Sequence, residues 1–305
     1  DAFGASVSLS GNRALIGAPG DDGEDTNSGA AYVFDLNGAW SQTAKLTGTR
    51  GDLIPGGGFG RSVSLSESRA LIGAPEASVL QEPGIPGGVP ASIFPGAAYV
   101  FEFNGVRWSQ TAELIASDAS NADLFGDSVS LSSNRALIGA TRGDDGNEFD
   151  SGSAYIFEFD GVTWGERAKL TASDSETNDF FGISVSLQGN RALIGAFFDN
   201  IDSTVASGSA FIFDFNGVNW SQTTKLSASD AARDDLFGNS VSLSDTRLLI
   251  GAPTKDRGDE DWVGAAYIFS SEMSPPPPPP PPQPGAVSDR IFSDGLEAGL
   301  LKYLN

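Results

Sequence analysis

The sequence predicts an all-β fold built from five copies of one four-stranded unit. The copies begin at Phe-Gly pairs that lie 56, 66, 56 and 56 residues apart, and a fixed period of this size marks a repeat architecture. Short runs within each copy alternate polar and apolar residues, which favours strands. Turn signals of the Asn-Gly type recur between these runs, and such turns join antiparallel strands. The pairs begin at Phe3, Phe59, Phe125, Phe181 and Phe237.

The third copy shows the first half of the unit. Residues 128–132 (SVSLS) alternate polar and apolar side chains, which predicts a strand with one buried face. A polar turn follows at residues 133–135. Residues 136–140 (ALIGA) form a continuous small and apolar run, which is typical of a strand buried on both faces.

The second half of the unit supplies two further strands. Residues 153–157 are rich in β-forming side chains and predict the third strand. Asp160-Gly161 is a two-residue hairpin signal, and residues 164–170 then predict the fourth strand. The other copies place Asn37-Gly38, Asn104-Gly105 and Asn216-Gly217 at the same turn.

Four-stranded units in tandem predict a β-propeller, in which blades pack face to face around an axis. A Gly-Ala pair ends each second strand, and small residues let neighbouring backbones approach closely. Trp40, Trp108, Trp164 and Trp220 are expected to pack between blades. We place the propeller at residues 1–273, with repeats 1–54, 55–121, 122–177, 178–233 and 234–273, the last one strand short. A polyproline linker (274–285) and a C-terminal tail (286–305) follow.

The composition narrows the range of functions that the chain can have. The formal net charge is -22, and the chain has neither Cys nor His. A strongly negative surface repels phosphate backbones and anionic lipids, so nucleic acid is not an expected partner. Absence of Cys and His removes thiol chemistry and most zinc sites. No apolar run reaches the length of a membrane span. The sequence shows no recognisable nucleophile–base pair, so we expect that the chain is not an enzyme and requires no cofactor.

These residues resemble the FG-GAP repeat, the unit of the integrin α-chain β-propeller and of many secreted bacterial proteins. Phe3-Gly4 with Gly17-Ala18-Pro19 carries both halves of the pattern, as do the copies that begin at Phe59 and Phe237. The third and fourth copies have Thr141 and Phe197 in place of the Pro. The resemblance implies an extracellular or cell-surface protein, whose secretion leader is not in this chain.

Calcium is the one cofactor that the resemblance raises. Calcium-binding members carry an acidic loop between the first and second strands. Here that loop is only Ser10-Gly11-Asn12-Arg13 or its equivalents, which cannot supply the about six to eight oxygens that calcium takes. Acidic residues collect instead in the loop after the second strand, where a solubilising role and weak calcium binding are the alternatives. The candidate ligands are Asp21, Asp22, Asp25, Asp144, Asp145 and Asp150.

A recurring arginine and a recurring aspartate predict structural ion pairs. An Arg lies ten residues after each Phe, and an Asp lies two residues before the Phe in four copies. Arg suits fixed pairing with a carboxylate. The arginines are Arg13, Arg69, Arg135, Arg191 and Arg247, and the aspartates are Asp1, Asp123, Asp179 and Asp235.

The fifth copy lacks its fourth strand, which predicts an open sheet edge. The edge strand comprises Ala265, Ala266, Tyr267, Ile268 and Phe269, and neither an Asn-Gly turn nor a Trp-Ser-Gln strand follows it. An open edge is a template for another chain. Eight prolines (275–282) then predict a stiff polyproline II spacer. The tail beyond it carries apolar residues that a solvated segment does not need: Val287, Ile291, Phe292, Leu296, Leu300, Leu301, Tyr303 and Leu304.

Two functions fit this pattern. In the first, copies associate head to tail in a filament or surface assembly, and the tail of one copy docks on the incomplete blade of the next. In the second, the chain is a monomeric adhesion propeller on a Pro-rich stalk, which binds a protein or glycan ligand.

Overall fold

A computed structural model of the chain describes residues 1–22, 28–48, 57–81, 91–144, 148–201, 204–256 and 262–270. This part of the chain is all β, with 21 strands and no helix. No described segment therefore forms a helix of the length and apolarity that a membrane crossing requires. The linker, the tail and all eight apolar tail residues named above lie outside the described residues.

Five antiparallel sheets follow one another along the chain, and each pairs its strands in sequence order. The first sheet comprises β1 (Ser6–Ser10), β2 (Arg13–Ala18), β3 (Ala30–Asn37) and β4 (Ala39–Leu46). The second comprises β5 (Ser62–Ser66), β6 (Arg69–Ala74), β9 (Ala97–Phe103) and β10 (Trp108–Leu114). The second copy is ten residues longer than the first, third and fourth copies, and its loop between β6 and β9 contains a separate ribbon of β7 (Val79–Gln81) and β8 (Ala91–Ile93).

The last three sheets repeat the plan, except that the fifth has three strands. The third comprises β11 (Phe125–Ser132), β12 (Arg135–Ala140), β13 (Ser153–Phe159) and β14 (Trp164–Leu170). The fourth comprises β15 (Ser184–Gln188), β16 (Arg191–Ala196), β17 (Ser209–Phe215) and β18 (Trp220–Leu226). The fifth comprises β19 (Ser240–Leu243), β20 (Arg247–Ala252) and β21 (Ala265–Ser270). The predicted five-blade propeller with a short last blade is confirmed.

Three strand boundaries of the third sheet differ from the prediction. β12 begins at Arg135, which pairs with Ser132, rather than at residue 136. β11 begins at Phe125 rather than at residue 128, because Phe125 pairs with Ala140 on the far side of a register shift. β13 continues to Phe159, which pairs with Trp164 next to the Asp160-Gly161 turn.

The core lies between sheets rather than within any one of them. Four hydrophobic clusters each combine side chains of two neighbouring sheets. The first strands of successive sheets also lie side by side. We call the side of a sheet that meets the preceding sheet its leading face, and the opposite side its trailing face. Along β6, for example, Ala70 and Ile72 belong to the leading face, and Leu71 belongs to the trailing face.

Candidate functional site

The same backbone contact joins every pair of neighbouring sheets. The Phe-Gly turn of one sheet (the FG loop) lies against two glycines of the preceding sheet, which we call the glycine slot. A Cβ on the first slot glycine would lie only 1.9 to 2.1 Å from the carbonyl oxygen of the FG-loop glycine. The backbone of the next sheet therefore leaves no room for a side chain at the first slot glycine. The slots are Gly17 with Gly29, Gly73 with Gly96, Gly139 with Gly152, and Gly195 with Gly208.

Serines of the first strand add hydrogen bonds across the same boundaries. Ser62 Oγ donates to the carbonyl oxygen of Gly126 at 2.7 Å, and Ser64 Oγ accepts from the backbone N–H of Leu131 at 2.9 Å. The other three boundaries repeat both bonds through Ser6, Ser128 and Ser184, and through Ser8, Ser130 and Ser186. The serines of the alternating SVSLS pattern therefore form hydrogen bonds across the interface between blades.

Four of the five recurring arginines form ion pairs, but not with the aspartates that the sequence predicted. The strand register sets Arg13 opposite Asp35 of β3, and its Nε lies 2.6 Å from the carboxylate. The equivalent pairs are Arg69–Glu102, Arg135–Glu158 and Arg191–Asp214. Arg247 lies opposite Ser270, which offers no carboxylate, and is exposed.

Three of these arginines also reach the next sheet. The guanidinium of Arg13 lies 4.5 Å from the ring centre of Phe103 and 5.1 Å from that of Trp108. Arg69 and Arg135 stack in the same way on Phe159 with Trp164 and on Phe215 with Trp220. A cation over an aromatic face is attracted by the ring quadrupole. Trp108, Trp164 and Trp220 thus take part in contacts between blades, as predicted, whereas the prediction is wrong for Trp40, which is 48% exposed.

The predicted pairing of Asp1, Asp123, Asp179 and Asp235 with these arginines is wrong, because four of the arginines pair with a cross-strand acid and Asp235 pairs with Lys255 instead of Arg247. Asp1 is exposed. The other three are buried and fix the turn before the FG loop. Each accepts a backbone N–H at 2.7 Å, from Ser120, Glu176 and Ala232 respectively.

A tyrosine and a lysine hold the segment that connects the second and third sheets. Tyr155 Oη and Lys169 Nζ both donate to the carboxylate of Asp118, each at 2.8 Å. In the fourth sheet Lys225 Nζ lies 2.6 Å from Asp174. Sequence reasoning missed this contact, although a Ser-Asp pair recurs at 117–118, 173–174 and 229–230 and was the available signal.

The fifth sheet keeps this contact without a fourth strand. Tyr267 Oη donates to Asp230 at 2.7 Å. The lysine comes from the loop after β20, since Lys255 Nζ lies 2.8 Å from Asp235 and also donates to the backbone carbonyl of Asp230. Lys255 therefore supplies the ammonium group that β14 and β18 supply in the third and fourth sheets.

Three buried carboxyls, Asp123, Asp179 and Asp199, have pKa values that burial raises. Burial raises the pKa of Asp179 to about 7, and repulsion from Asp199 adds to the shift. Burial likewise raises the pKa of Asp123 to about 6, although the N–H of Ser120 opposes it. Asp179 Oδ1 has no hydrogen-bond partner among the described residues.

These shifts predict stability that falls as pH rises. An unfolded Asp loses its proton near pH 4, whereas folded Asp123 and Asp179 keep theirs to about pH 6 and 7. The native state binds more protons in this window, so the free energy of unfolding should drop by roughly 5 kcal/mol between pH 4.5 and 8. Urea unfolding at several pH values measures this decrease in the free energy of unfolding. Asp179→Asn should flatten the profile and stabilise the protein at pH 8.

The matched control for this prediction is Asp235→Asn at the same place in the repeat. Asp235 is paired with Lys255 at 2.8 Å, so its neutralisation should destabilise the protein at pH 8. Equal effects of the two substitutions would contradict the assignment.

The candidate calcium ligands do not converge on a common site in the described part of the chain. Asp21 is buried and accepts bonds from Tyr32 Oη and Lys45 Nζ, both at 2.5 Å. Asp22 and Asp144 are exposed, and Asp144 accepts the backbone N–H of Asp150 at 3.0 Å. No three acids among the described residues are grouped to hold a metal ion. Asp25 and Asp145 lie outside the described residues.

The two ends of the array are open. In the described residues, none of the slot, serine or arginine contacts joins the fifth sheet to the first. On the leading face of the first sheet Phe3, Val7 and Leu9 are 54%, 70% and 67% exposed. Their equivalents in the second sheet, Phe59, Val63 and Leu65, are buried. On the trailing face of the fifth sheet Leu249 is 45% exposed, whereas its four equivalents are fully buried.

The predicted edge residues lie on β21, the outermost strand of the fifth sheet. Tyr267 and Phe269 point into the leading-face core beside Phe237, with ring centres 5.3 and 6.2 Å from it. Ala265 packs partly against that core, Ala266 is exposed and Ile268 is half-buried. One side of this blade is therefore complete and the other is uncovered.

Comparison with known proteins agrees with this architecture. A family model described as FG-GAP repeat matches residues 1–34, 40–101, 108–157, 164–213 and 220–269. No curated protein matches the chain. One similar solved structure is the crystal structure of a functionally unknown protein from Desulfotomaculum acetoxidans DSM 771, with 9% identity and a TM-score of 0.52. The match covers 88% of this chain but only 65% of that chain, and at this identity it shows the fold alone.

Proposed function

The chain belongs to the FG-GAP repeat family, and from this premise we propose that it is an extracellular structural protein whose copies associate head to tail. The FG-GAP propeller is typically a non-catalytic fold, and it suggests a binding or structural role through contacts with other proteins. In the proposed assembly the tail of one copy docks on the incomplete fifth sheet of the next.

The observation that carries this proposal is the three-stranded fifth sheet. β21 is an outer strand among the described residues, and the unpaired backbone groups of an edge strand favour the addition of another strand. A docking strand does not need to bring the lysine of the missing fourth strand, because Lys255 already contacts Asp230 and Asp235.

The tail has the composition of a docking segment. Between Val287 and Leu304 it carries eight large apolar side chains. Burial of such a side chain contributes roughly 1.5–3 kcal/mol, so four or five of them could offset the cost of association. The proline run 275–282 favours an extended polyproline II spacer, and such a spacer would hold the tail away from its own fifth sheet.

Deletion of residues 286–305 tests the proposal. We expect the full chain to form particles larger than a monomer and the truncated chain to be monomeric, as measured by light scattering coupled to size-exclusion chromatography. The control is a full-length variant with Ile291, Phe292, Leu300 and Leu301 replaced by Ser, which should behave like the deletion.

The alternative function makes the opposite prediction. An adhesion propeller on a Pro-rich stalk, with a protein or glycan ligand and weak calcium binding, would have the same mass with and without the tail. Unchanged association after the deletion would therefore contradict tail docking and favour the stalk.

A further inference from the structure

The two open ends of the array retain matching halves of the internal blade interface. The trailing face of the fifth sheet still has a glycine slot. Gly264 has a φ of +80°, close to the +82° to +88° of the second slot glycines in the other four sheets. A Cβ on Gly251 would meet, within 3.5 Å, only the hydroxyl of Ser240 in its own sheet, with no backbone of another sheet near it.

The first sheet retains the complementary half. Its FG loop is built like the others, since Gly4 has a φ of +91° against +89° to +94° for the four loops seated in a slot. A Cβ on Gly4 would nevertheless meet nothing within 4 Å. Phe3 already has the ring contacts of its buried equivalents, with ring centres 5.4 Å from Tyr32 and 6.3 Å from Phe34. The loop is thus formed before anything covers it.

The two partners of the arginine–tryptophan contact also lie at opposite ends of the array. Arg247 is exposed and has no cross-strand acid, because Ser270 lies opposite it. Trp40 occupies the place of Trp108, which receives Arg13 from the preceding sheet. Trp40 is exposed, whereas Trp108, Trp164 and Trp220 are half-buried. Among the described residues, one end therefore offers a guanidinium without an acidic partner, and the other offers an aromatic face without a cation over it.

We propose that the leading face of the first sheet binds the trailing face of the fifth sheet in a second copy of this chain. The FG loop at Phe3-Gly4 would enter the slot formed by Gly251 and Gly264, and Arg247 would stack on Trp40. The occupant is a second copy because the chain carries both halves of an interface that it already forms four times. The inference rests on the proposed head-to-tail association and names its contact surface.

The contact joins two different surfaces, so it is heterologous and continues from copy to copy. A variant that damages one surface leaves the other intact. This separates it from a symmetric contact between two first sheets, in which a single variant would damage both partners.

Two full-length variants test the proposal. Val7→Asp with Leu9→Asp places charge on the leading face, and Gly251→Ala fills the slot at the trailing face. Each should weaken association at least about tenfold, as measured by sedimentation across a concentration series. An equal mixture of the two variants should form dimers and nothing larger, since only one intact pair of surfaces remains. Matched controls are Val106→Asp at an exposed hairpin turn and Gly165→Ala, where a Cβ meets nothing within 4 Å.

Three results would overturn the inference: wild-type protein that stays monomeric, leading-face variants that associate like wild type, or Gly251→Ala protein that associates with itself as tightly as wild type. The tail deletion separates the two proposals. If the deletion gives monomers but the face variants associate normally, the interface is wrong and tail docking stands. If the face variants alone lose association, the interface stands and tail docking is wrong.

Discussion

Gly139→Ala is expected to destabilise the protein by more than about 4 kcal/mol, or to prevent folding. The new Cβ would lie 2.1 Å from the carbonyl oxygen of Gly182 and 3.0 Å from its carbonyl carbon. These atoms belong to the backbone of the next sheet, so relief requires the two blades to separate. Urea unfolding of the purified variant, or its soluble yield if it does not fold, measures the effect.

Two other glycines provide the controls for Gly139→Ala. Gly165 lies on β14 with nothing within 4 Å of the added Cβ, and Gly251 meets mainly the rotatable hydroxyl of Ser240. Alanine at Gly165 should cost nothing measurable, and alanine at Gly251 should cost less than about 1 kcal/mol at dilute, monomeric concentration. A variant at Gly139 as stable as the one at Gly165 would show that the sheets do not pack through the glycine slot.

Phe181→Ala is expected to cost about 3–5 kcal/mol, the usual loss for a fully buried phenylalanine. The ring lies 5.4 and 6.0 Å from the ring centres of Phe211 and Phe213, and the preceding sheet covers its other side through Leu137 and Ala154. Removal leaves a cavity between two blades. The free energy of unfolding in urea, at low protein concentration, is the measurement.

Phe3→Ala is the matched control, and it should cost about 1 kcal/mol or less. Phe3 has the same position in the repeat and the same two ring contacts, but no preceding sheet covers it among the described residues. Equal losses at the two positions would mean that something covers the leading face of the first sheet.

The sequence predicted the repeated architecture well, because the features that form each blade are local. The alternation in SVSLS, the apolar run in RALIGA and the Asp160-Gly161 turn each define a strand or a hairpin without reference to distant residues. The missing strand of the fifth blade was equally visible, since neither an Asn-Gly turn nor a Trp follows Phe269. These expectations depended only on order along the chain.

The sequence was less informative where a contact depends on strand register. Arg13 and Asp1 recur at fixed spacing, yet the cross-strand partner of Arg13 is Asp35, which lies 22 residues away. An acid does recur at the place of Asp35, at Glu102, Glu158 and Asp214, so pairing by register rather than by distance from Phe3 would have found it. Lys255 had no such signal, because its role appears only when the fourth strand is absent.

The open ends could not be predicted from the sequence, for a different reason. The leading face of the first sheet has the same residue pattern as every other leading face. From the sequence, Phe3 and Val7 are therefore expected to be as buried as Phe59 and Val63. Whether they are covered depends on how far each blade rotates relative to the last. Only the three-dimensional arrangement reveals that four such steps leave the first and fifth sheets apart.

The central claim is that the described sheets form an open array, and crosslinking tests it most directly because the chain has no native cysteine. At an internal boundary the N–H of Glu67 lies 3.1 Å from Ser10 Oγ, so a Ser10→Cys, Glu67→Cys pair should be joined within one chain by a short bis-maleimide. The equivalent pair across the ends is Ser244→Cys with Gly11→Cys. We expect no link between these two within a single chain, as read by mass spectrometry of the monomer band. An intrachain link between positions 11 and 244 would show that the ring closes on itself, and would contradict the account.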